Sequence, residues 1–100
     1  MKEVYLLKKS DRKGKRFVII MDKMDHHFGA YPFKDGTFLE HKDLEKKKNW
    51  IKRHEKDKNW NNKHSSIYYS RHLLWGDFPD LKKNIKLLEK KDNIKIKVEL

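Results

Sequence analysis

Two apolar runs near the N-terminus constrain the fold more than any other feature of the sequence. Val4–Lys9 (VYLLKK) and Arg16–Met21 (RFVIIM) are short and rich in β-branched and aromatic residues. Gly14 lies in the polar segment between them and can supply the positive φ that a tight turn needs. The pattern therefore predicts a β-hairpin.

Two further segments are expected to be strands. His26–Tyr31 is a short run in which Gly29 marks a bulge or a point of close approach, and Pro32 ends it. Near residue 95, three apolar residues alternate with charged ones, which is typical of a half-buried strand. These three residues are Ile94, Ile96 and Val98.

A long helix is expected after the third strand. Thr37 and Glu40 have the spacing of a capping box, in which the two side chains satisfy each other's backbone N–H groups. The helix should begin between Thr37 and His41. The segment Asn59-Trp60-Asn61-Asn62 breaks the pattern, so the helix should end near residues 57–62.

Two more helices are expected further along the chain. Ser65 or Ser66 can cap a short helix that runs to Trp75, where Gly76 stops it. Pro79 suits the first position of another helix, because proline lacks the N–H that is unpaired there anyway. This last helix should run to about residue 91.

The predicted order is βββαααβ, which indicates an α+β domain. We expect a small antiparallel sheet made of the N-terminal hairpin, the third strand and the C-terminal strand, with about three helices on one face. One hundred residues suit a single domain spanning 1–100. Leu, Ile, Val and Phe make up 25 of these residues, enough for a small core.

The charge of the chain indicates an anionic partner. Charged residues are 41% of the total, and 26 basic against 15 acidic side chains leave a formal net charge of +11. Nucleic acid or an acidic protein fits this charge. A membrane is the weakest candidate, because no apolar run approaches the roughly 20 residues of a spanning helix. The absence of cysteine excludes disulfides and thiolate metal sites and fits an intracellular protein. No cofactor is expected.

On helical projections, the first and third predicted helices show the same arrangement of apolar and basic residues. Each has a narrow apolar stripe, with Leu44 and Ile51 in the first and Leu81, Ile85 and Leu88 in the third. The opposite faces carry lysines with few acids to pair with them, and such faces can neutralise phosphates. A solvated outer face is the alternative. The candidate nucleic-acid contacts are Lys42, Lys46, Arg53, Lys56, Lys82, Lys83, Lys86 and Lys90.

The aromatic residues suggest a second way of contacting nucleic acid. Trp60, flanked by asparagine and close to lysines, is the best candidate for an exposed ring that stacks on a base. Trp75 should be packed in the core. Trp50 and Leu87 lie off their apolar stripes, at similar angles, and together they could form a patch for a protein partner. Whether Trp50 packs within the chain or is exposed is left open by the sequence.

The histidines give only a weak indication of an enzyme. Asp25-His26-His27, followed by His54 on a helix, faintly resembles the ββα-metal arrangement of HNH-type nucleases. The hairpin between the two elements is missing, and His41 and His54 are too far apart for a helical ligand pair. We therefore expect no catalytic and no metal-binding residues, with a metal-dependent nuclease as a remote alternative.

A series of short motifs resembles a known family. His41-Lys42-Asp43, Arg53-His54, Asn59-Trp60 and Leu73-Leu74-Trp75 occur in the same order in small, uncharacterised basic proteins of large eukaryotic double-stranded DNA viruses, the mimivirus and algal-virus relatives. The resemblance covers roughly residues 5–90. It implies a viral context but no activity and no site residues. The segment Ile67-Tyr68-Tyr69 departs from the family's glycine-rich approach to the last motif.

These observations together predict a viral nucleic-acid-binding protein that contacts the phosphate backbone with little sequence specificity, and DNA is the expected polymer. A role in genome packaging follows from the resemblance, in the viral factory, cytoplasm or nucleus of an infected host cell or in the virion. The alternative is a virion structural or assembly protein that acts through protein–protein contacts, including contacts between its own copies.

Overall fold

The strands of the protein form one four-stranded sheet. The computed structural model describes residues 3–22, 24–31 and 36–100, and within them the sheet has the order β3-β2-β1-β4. The prediction of an α+β domain is confirmed. The expected strands agree with the observed ones to within one residue at each end, and Pro32 lies outside the described residues. The strands are β1 (Glu3–Lys9), β2 (Lys15–Ile20), β3 (Asp25–Ala30) and β4 (Ile94–Glu99).

The turn between β1 and β2 is tight. Gly14 has a φ of 83°, as the hairpin pattern predicts, and the Lys15 N–H donates to the carbonyl of Arg12 at 3.1 Å. β1 and β2 are antiparallel, with Leu7 opposite Ile19, and β2 and β3 are also antiparallel. The first three strands therefore follow one another as an antiparallel meander.

The fourth strand corrects one expectation. β4 joins the sheet beside β1 but runs parallel to it, with Tyr5 opposite Ile96, so the sheet is mixed and not antiparallel. Alternation of apolar and charged residues specifies which face of a strand is buried, but not its direction. The direction is set by the helix before β4, because Asn93 turns the chain back through a left-handed conformation. Glu89 of that helix also accepts the Ile96 N–H at 2.8 Å.

The helical part of the chain has more segments than expected. In place of three helices, the described residues contain four α-helical segments and a π-helical turn, Ser70–Leu74, which continues the third of them. The α-helices are α1 (Phe38–His41), α2 (Leu44–His54), α3 (Ser66–Tyr69) and α4 (Leu81–Asp92).

The first predicted helix is divided in two, so that part of the prediction is wrong. The capping box is present: Thr37 accepts the Leu39 N–H, and Glu40 accepts the Thr37 N–H at 2.7 Å. Lys42 then takes the left-handed conformation, and Asp43 caps α2 through its side chain. An acidic residue that can cap a new helix thus competes with continuation of the first. α2 also ends earlier than predicted, at His54.

The later helices agree better with prediction. The helical segment begins after Ser65 and reaches Leu74 shortly before Gly76. Ser65 makes no side-chain cap, because its hydroxyl donates to the carbonyls of Asn59 and Asn62 instead. Its last turn is π-helical, with the Trp75 N–H donating to the Ser70 carbonyl at 3.0 Å. The prediction that Pro79 is the first residue of the last helix is wrong, because α4 begins at Leu81. Asp80 caps that helix instead, because its side chain accepts from the Lys82 and Lys83 N–H groups.

The core lies between one face of the sheet and the later helices. Leu7, Ile19 and Phe28 supply the centre of the sheet's inner face, and Tyr69 and Leu73 pack on it from the helical side. α4 covers the core with Ile85 and Leu88, as the helical projection predicts. α2 contributes no buried residue. It is therefore attached to the edge of the core, which decides what its exposed side can do.

Candidate nucleic-acid interface

α2 is attached to the body of the protein mainly through tryptophan. The ring of Trp50 stacks on Trp75, with 5.0 Å between centroids and an angle of 9° between the planes. Trp50 also lies against His54 and Trp60, at 4.4 and 5.9 Å. We call Trp50, Trp60 and Trp75 the tryptophan cluster. The question that the sequence leaves open is thus answered, because Trp50 packs within the chain.

The apolar stripe predicted for α2 is wrong. Leu44, one of its two members, is 70% exposed, and Ile51 is only half-buried. The packed side of α2 is rotated toward Trp50 and Lys47, whose ammonium group lies 4.7 Å from the centre of the Phe38 ring. Burial lowers the pKa of Lys47. The ring of Trp50 makes the stacking contact with the body of the protein, so the indole and not the aliphatic pair decides the helix orientation.

Trp60 does not have the exposed ring that was predicted. It is half-buried, in contact with Trp50, and the guanidinium of Arg71 lies 5.6 Å from the centre of its ring. Arg71 also donates to the Trp75 carbonyl at 3.0 Å. Trp60 and Arg71 therefore hold the tryptophan cluster together, and stacking of Trp60 on a base stays a prediction.

A cleft lies beside the basic face of α2. It has a volume of about 450 Å³ and is lined by residues of α2, of α1, of the loop before α1 and of the tryptophan cluster. The lining residues are Gly36, His41, Lys46, Asn49, Arg53 and Trp75. Lys46, Asn49 and Arg53 are spaced three and four residues apart, so they form one row along the helix. Two of the predicted contacts, Lys46 and Arg53, thus meet at one site.

His41 forms one wall of this cleft in a fixed orientation. Its Nδ1 accepts the Asp43 N–H at 3.0 Å, so the proton of the neutral ring is on Nε2. Its ring lies 5.3 Å from that of Trp75. Nε2 is buried and has no hydrogen-bond partner among the residues that the structure describes. Sequence reasoning did not assign His41, Asn49 or Trp75 to the interface, because their proximity depends on how α2 docks.

The other predicted contacts lie outside the cleft. Lys42 and Lys56 are exposed beyond the two ends of α2. The α4 lysines are exposed as well, but α4 packs on the π turn and β4, whereas α2 is attached through the tryptophan cluster. The two basic faces thus belong to separately anchored helices. The α4 residues are Lys82, Lys83, Lys86 and Lys90.

None of these predicted cations is neutralised within the described part of the chain. No carboxylate of the described residues lies within 4.0 Å of any of the eight. Other cations are paired: Arg16 forms a two-point contact with Glu40, and Lys63 and Lys91 lie 3.9 and 3.7 Å from Asp92. Glu40 and Asp92 therefore pair with cations other than these eight.

Two histidines of the nuclease hypothesis, His27 and His54, are hydrogen-bonded within the chain. His27 Nδ1 is 2.7 Å from the Ser10 hydroxyl, and His54 Nδ1 donates to the Trp50 carbonyl at 2.7 Å. In residues 3–22, 24–31 and 36–100, no group of three histidine or carboxylate side chains is arranged to hold a metal ion. Among the same residues, no helix is long and apolar enough to cross a membrane.

The apolar patch predicted for a protein partner is reduced to one of its two residues. Trp50 faces Trp75, whereas Leu87 is 40% exposed on α4.

The fold and the cleft together define an α+β domain with a basic cleft, lined in part by aromatic side chains, at the edge of its core. Comparison with protein-family models, with curated proteins and with solved structures finds no match to this chain.

Proposed function

We propose that the protein binds nucleic acid through the phosphate backbone, with little sequence specificity, and that the α2 row is the primary contact. The observation that carries this proposal is the placement of Lys46 and Arg53 on one cleft, with no carboxylate of the described residues within 4.0 Å of either cation. Guanidinium and ammonium groups are the side chains that bind phosphate best. The α4 lysines form a second contact area.

The physical driving force is the release of counterions. A nucleic acid concentrates cations around its phosphates, and each protein cation that replaces them returns them to bulk solution. The formal net charge of +11 adds a long-range attraction to this local contact. Phosphate contacts carry no sequence information, so this mode of binding fits a packaging role. The motif series resembles proteins of large DNA viruses, and on that resemblance alone we extend the proposal to genome packaging in an infected cell.

The salt dependence of binding tests the proposal. We expect the affinity for a labelled duplex of mixed sequence, measured by fluorescence anisotropy, to fall roughly a hundredfold between about 50 and 200 mM salt if four phosphates are contacted. Lys46→Glu with Arg53→Glu should weaken binding further and reduce the log–log salt slope by about two. An affinity that does not change with salt concentration, or no binding at low salt, would contradict the proposal.

A matched variant separates the cleft from the overall charge. Lys48→Glu with Lys52→Glu changes the net charge by the same amount and also lies on α2, but neither residue lines the cleft. The control should therefore lose less affinity than the cleft variant and keep more of the salt slope. Equal losses in the two variants would show that α2 acts only through total charge.

A further inference from the structure

We propose that the α2 cleft takes an unpaired nucleotide, so that the protein prefers single strands or frayed ends to closed duplex. The inference rests on the proposed function and names the form of nucleic acid that the same site binds. It is carried by the juxtaposition of two aromatic lining residues, Trp75 and His41, whose rings contact each other with 5.3 Å between centroids, with the side-chain amide of Asn49 between the cations of Lys46 and Arg53.

The size of the cleft suits one nucleotide. Its volume of about 450 Å³ lies at the lower part of the range for small-molecule sites, roughly 300–1,000 Å³. A base in a closed duplex is stacked and paired, so it cannot enter such a cleft without leaving the helix. A surface that served only to contact phosphates would need neither the concavity nor the ring walls.

The chemistry of the lining matches the parts of a nucleotide. Tryptophan and histidine rings stack on bases of any sequence. The amide of Asn49 offers a donor and an acceptor side by side, which suits the edge of an unpaired base. Lys46 and Arg53, one turn away on either side of Asn49, are placed for the phosphates that precede and follow that base.

The walls of the cleft are held in place before any ligand arrives. Trp75 is fixed by its stack on Trp50 and by the hydrogen bond from Arg71 to its carbonyl. His41 is fixed by the bond from the Asp43 N–H. Binding therefore needs little ordering of the rings, and less affinity is lost to ordering than on a flexible surface.

Three ligands of equal phosphate number test the inference. They are a labelled single strand of about 12 nucleotides, the matching abasic sugar-phosphate strand, and a duplex with the same total number of phosphates. We expect the single strand to bind tightest and to quench the tryptophan fluorescence. The abasic strand should bind roughly 5- to 100-fold more weakly, because it can contact the cations but cannot stack.

Asn49→Ala provides the matched protein variant. Asn49 is exposed on α2 and alanine favours the helix, so the fold is preserved. We expect a roughly 3- to 10-fold loss of affinity for the single strand and no change for the abasic strand or the duplex. Asn61→Ala, at an exposed position away from the cleft, should leave all three affinities unchanged.

The outcomes distinguish this inference from the proposed function. If the single and abasic strands bind equally and Asn49→Ala has no effect, the cleft takes no base, and the phosphate-binding proposal stands alone. If none of the three ligands binds at low salt, both proposals are overturned. Equal loss for all three ligands in Asn49→Ala would also overturn the inference, because it would indicate a general effect on α2.

Discussion

Asn84 is the buried polar side chain with the most connections between elements. It is 1% exposed, and its amide donates to the carbonyls of Leu73 and Phe78 at 3.1 and 2.8 Å. Its oxygen accepts the Phe78 N–H at 3.0 Å. One side chain in α4 thus satisfies backbone groups of the π turn and of the loop that follows it, where no regular hydrogen-bond ladder is available.

Replacing Asn84 should therefore be costly. We expect Asn84→Ala to lower the free energy of unfolding by about 2–4 kcal/mol, because it leaves buried backbone groups unpaired and opens a small cavity. Urea unfolding followed by circular dichroism measures the change. Asn61→Ala, at an exposed position, should change the free energy by less than about 0.5 kcal/mol. A loss at Asn84 no larger than that at Asn61 would refute this account.

Gly29 and Gly14 occupy positions that require glycine for different physical reasons. Both have positive φ, 78° and 83°, but a Cβ on Gly29 would lie 2.8 Å from Leu74 Cδ1, whereas no atom lies within 4 Å of one on Gly14. Gly14→Ala should cost about 1 kcal/mol from backbone strain alone. Gly29→Ala should cost roughly 1–3 kcal/mol more from overpacking. The two thermal midpoints test this, and equal losses would argue against the contact with Leu74.

At the scale of elements, α2 is the one whose attachment depends most on a single side chain. Trp50→Ala removes the stack on Trp75 from a helix that has no buried residue. We expect the backbone amides of α2 to exchange hydrogen much faster while the sheet stays protected, because the helix undocks without unfolding the core. Mass spectrometry of exchanged peptides measures this.

Leu44→Ala is the control for the orientation of α2. Leu44 belongs to the apolar stripe predicted from the helical period, but it is 70% exposed. Its replacement should leave both the exchange of α2 and the stability nearly unchanged. If Leu44→Ala loosens α2 as much as Trp50→Ala does, the predicted stripe is correct and the observed docking is not.

The elements also show what can be predicted from sequence. Thr37 and Glu40 predict a helix start because a capping box is local, and Ile94 and Ile96 predict a half-buried strand because alternation is local. The direction of β4 and the orientation of α2 depend on partners far along the chain. The cleft follows from that orientation, so Lys46 and Arg53 could be selected by their charge, but Trp75 could not.

At the scale of the whole molecule, two half-buried histidines, His26 and His72, make stability depend on pH. Burial, with smaller contributions from Arg71 and Lys91 against the opposite effect of Asp92 and Asp77, lowers the pKa of His72 to about 4. Burial, with the nearby His64, also lowers the pKa of His26. Since a histidine of the unfolded chain titrates near 6.5, the unfolded state binds more protons below that pH. The contribution of these two histidines to stability is then fully present above about pH 6.5 and is lost as the pH falls toward 4.

We expect His72 to contribute roughly 1–2 kcal/mol to this loss between about pH 7 and pH 4.5, after allowance for its partial exposure to solvent. Urea unfolding at the two pH values measures the slope, and His72→Gln should flatten it. NMR titration of the His72 ring gives an independent check. A ring that titrates at 6.5 or above would show that burial does not control it.

The pairing of β1 with β4 also affects the order in which the elements of the fold can form during folding. Glu3 lies opposite Ile94, so this part of the sheet closes only when segments from the two ends of the described chain meet. Hairpin β1–β2 and helix α4 need only local encounters and can form first. β4 then docks late, on a sheet that already exists. Substitutions in β4 should accordingly speed unfolding more than they slow folding.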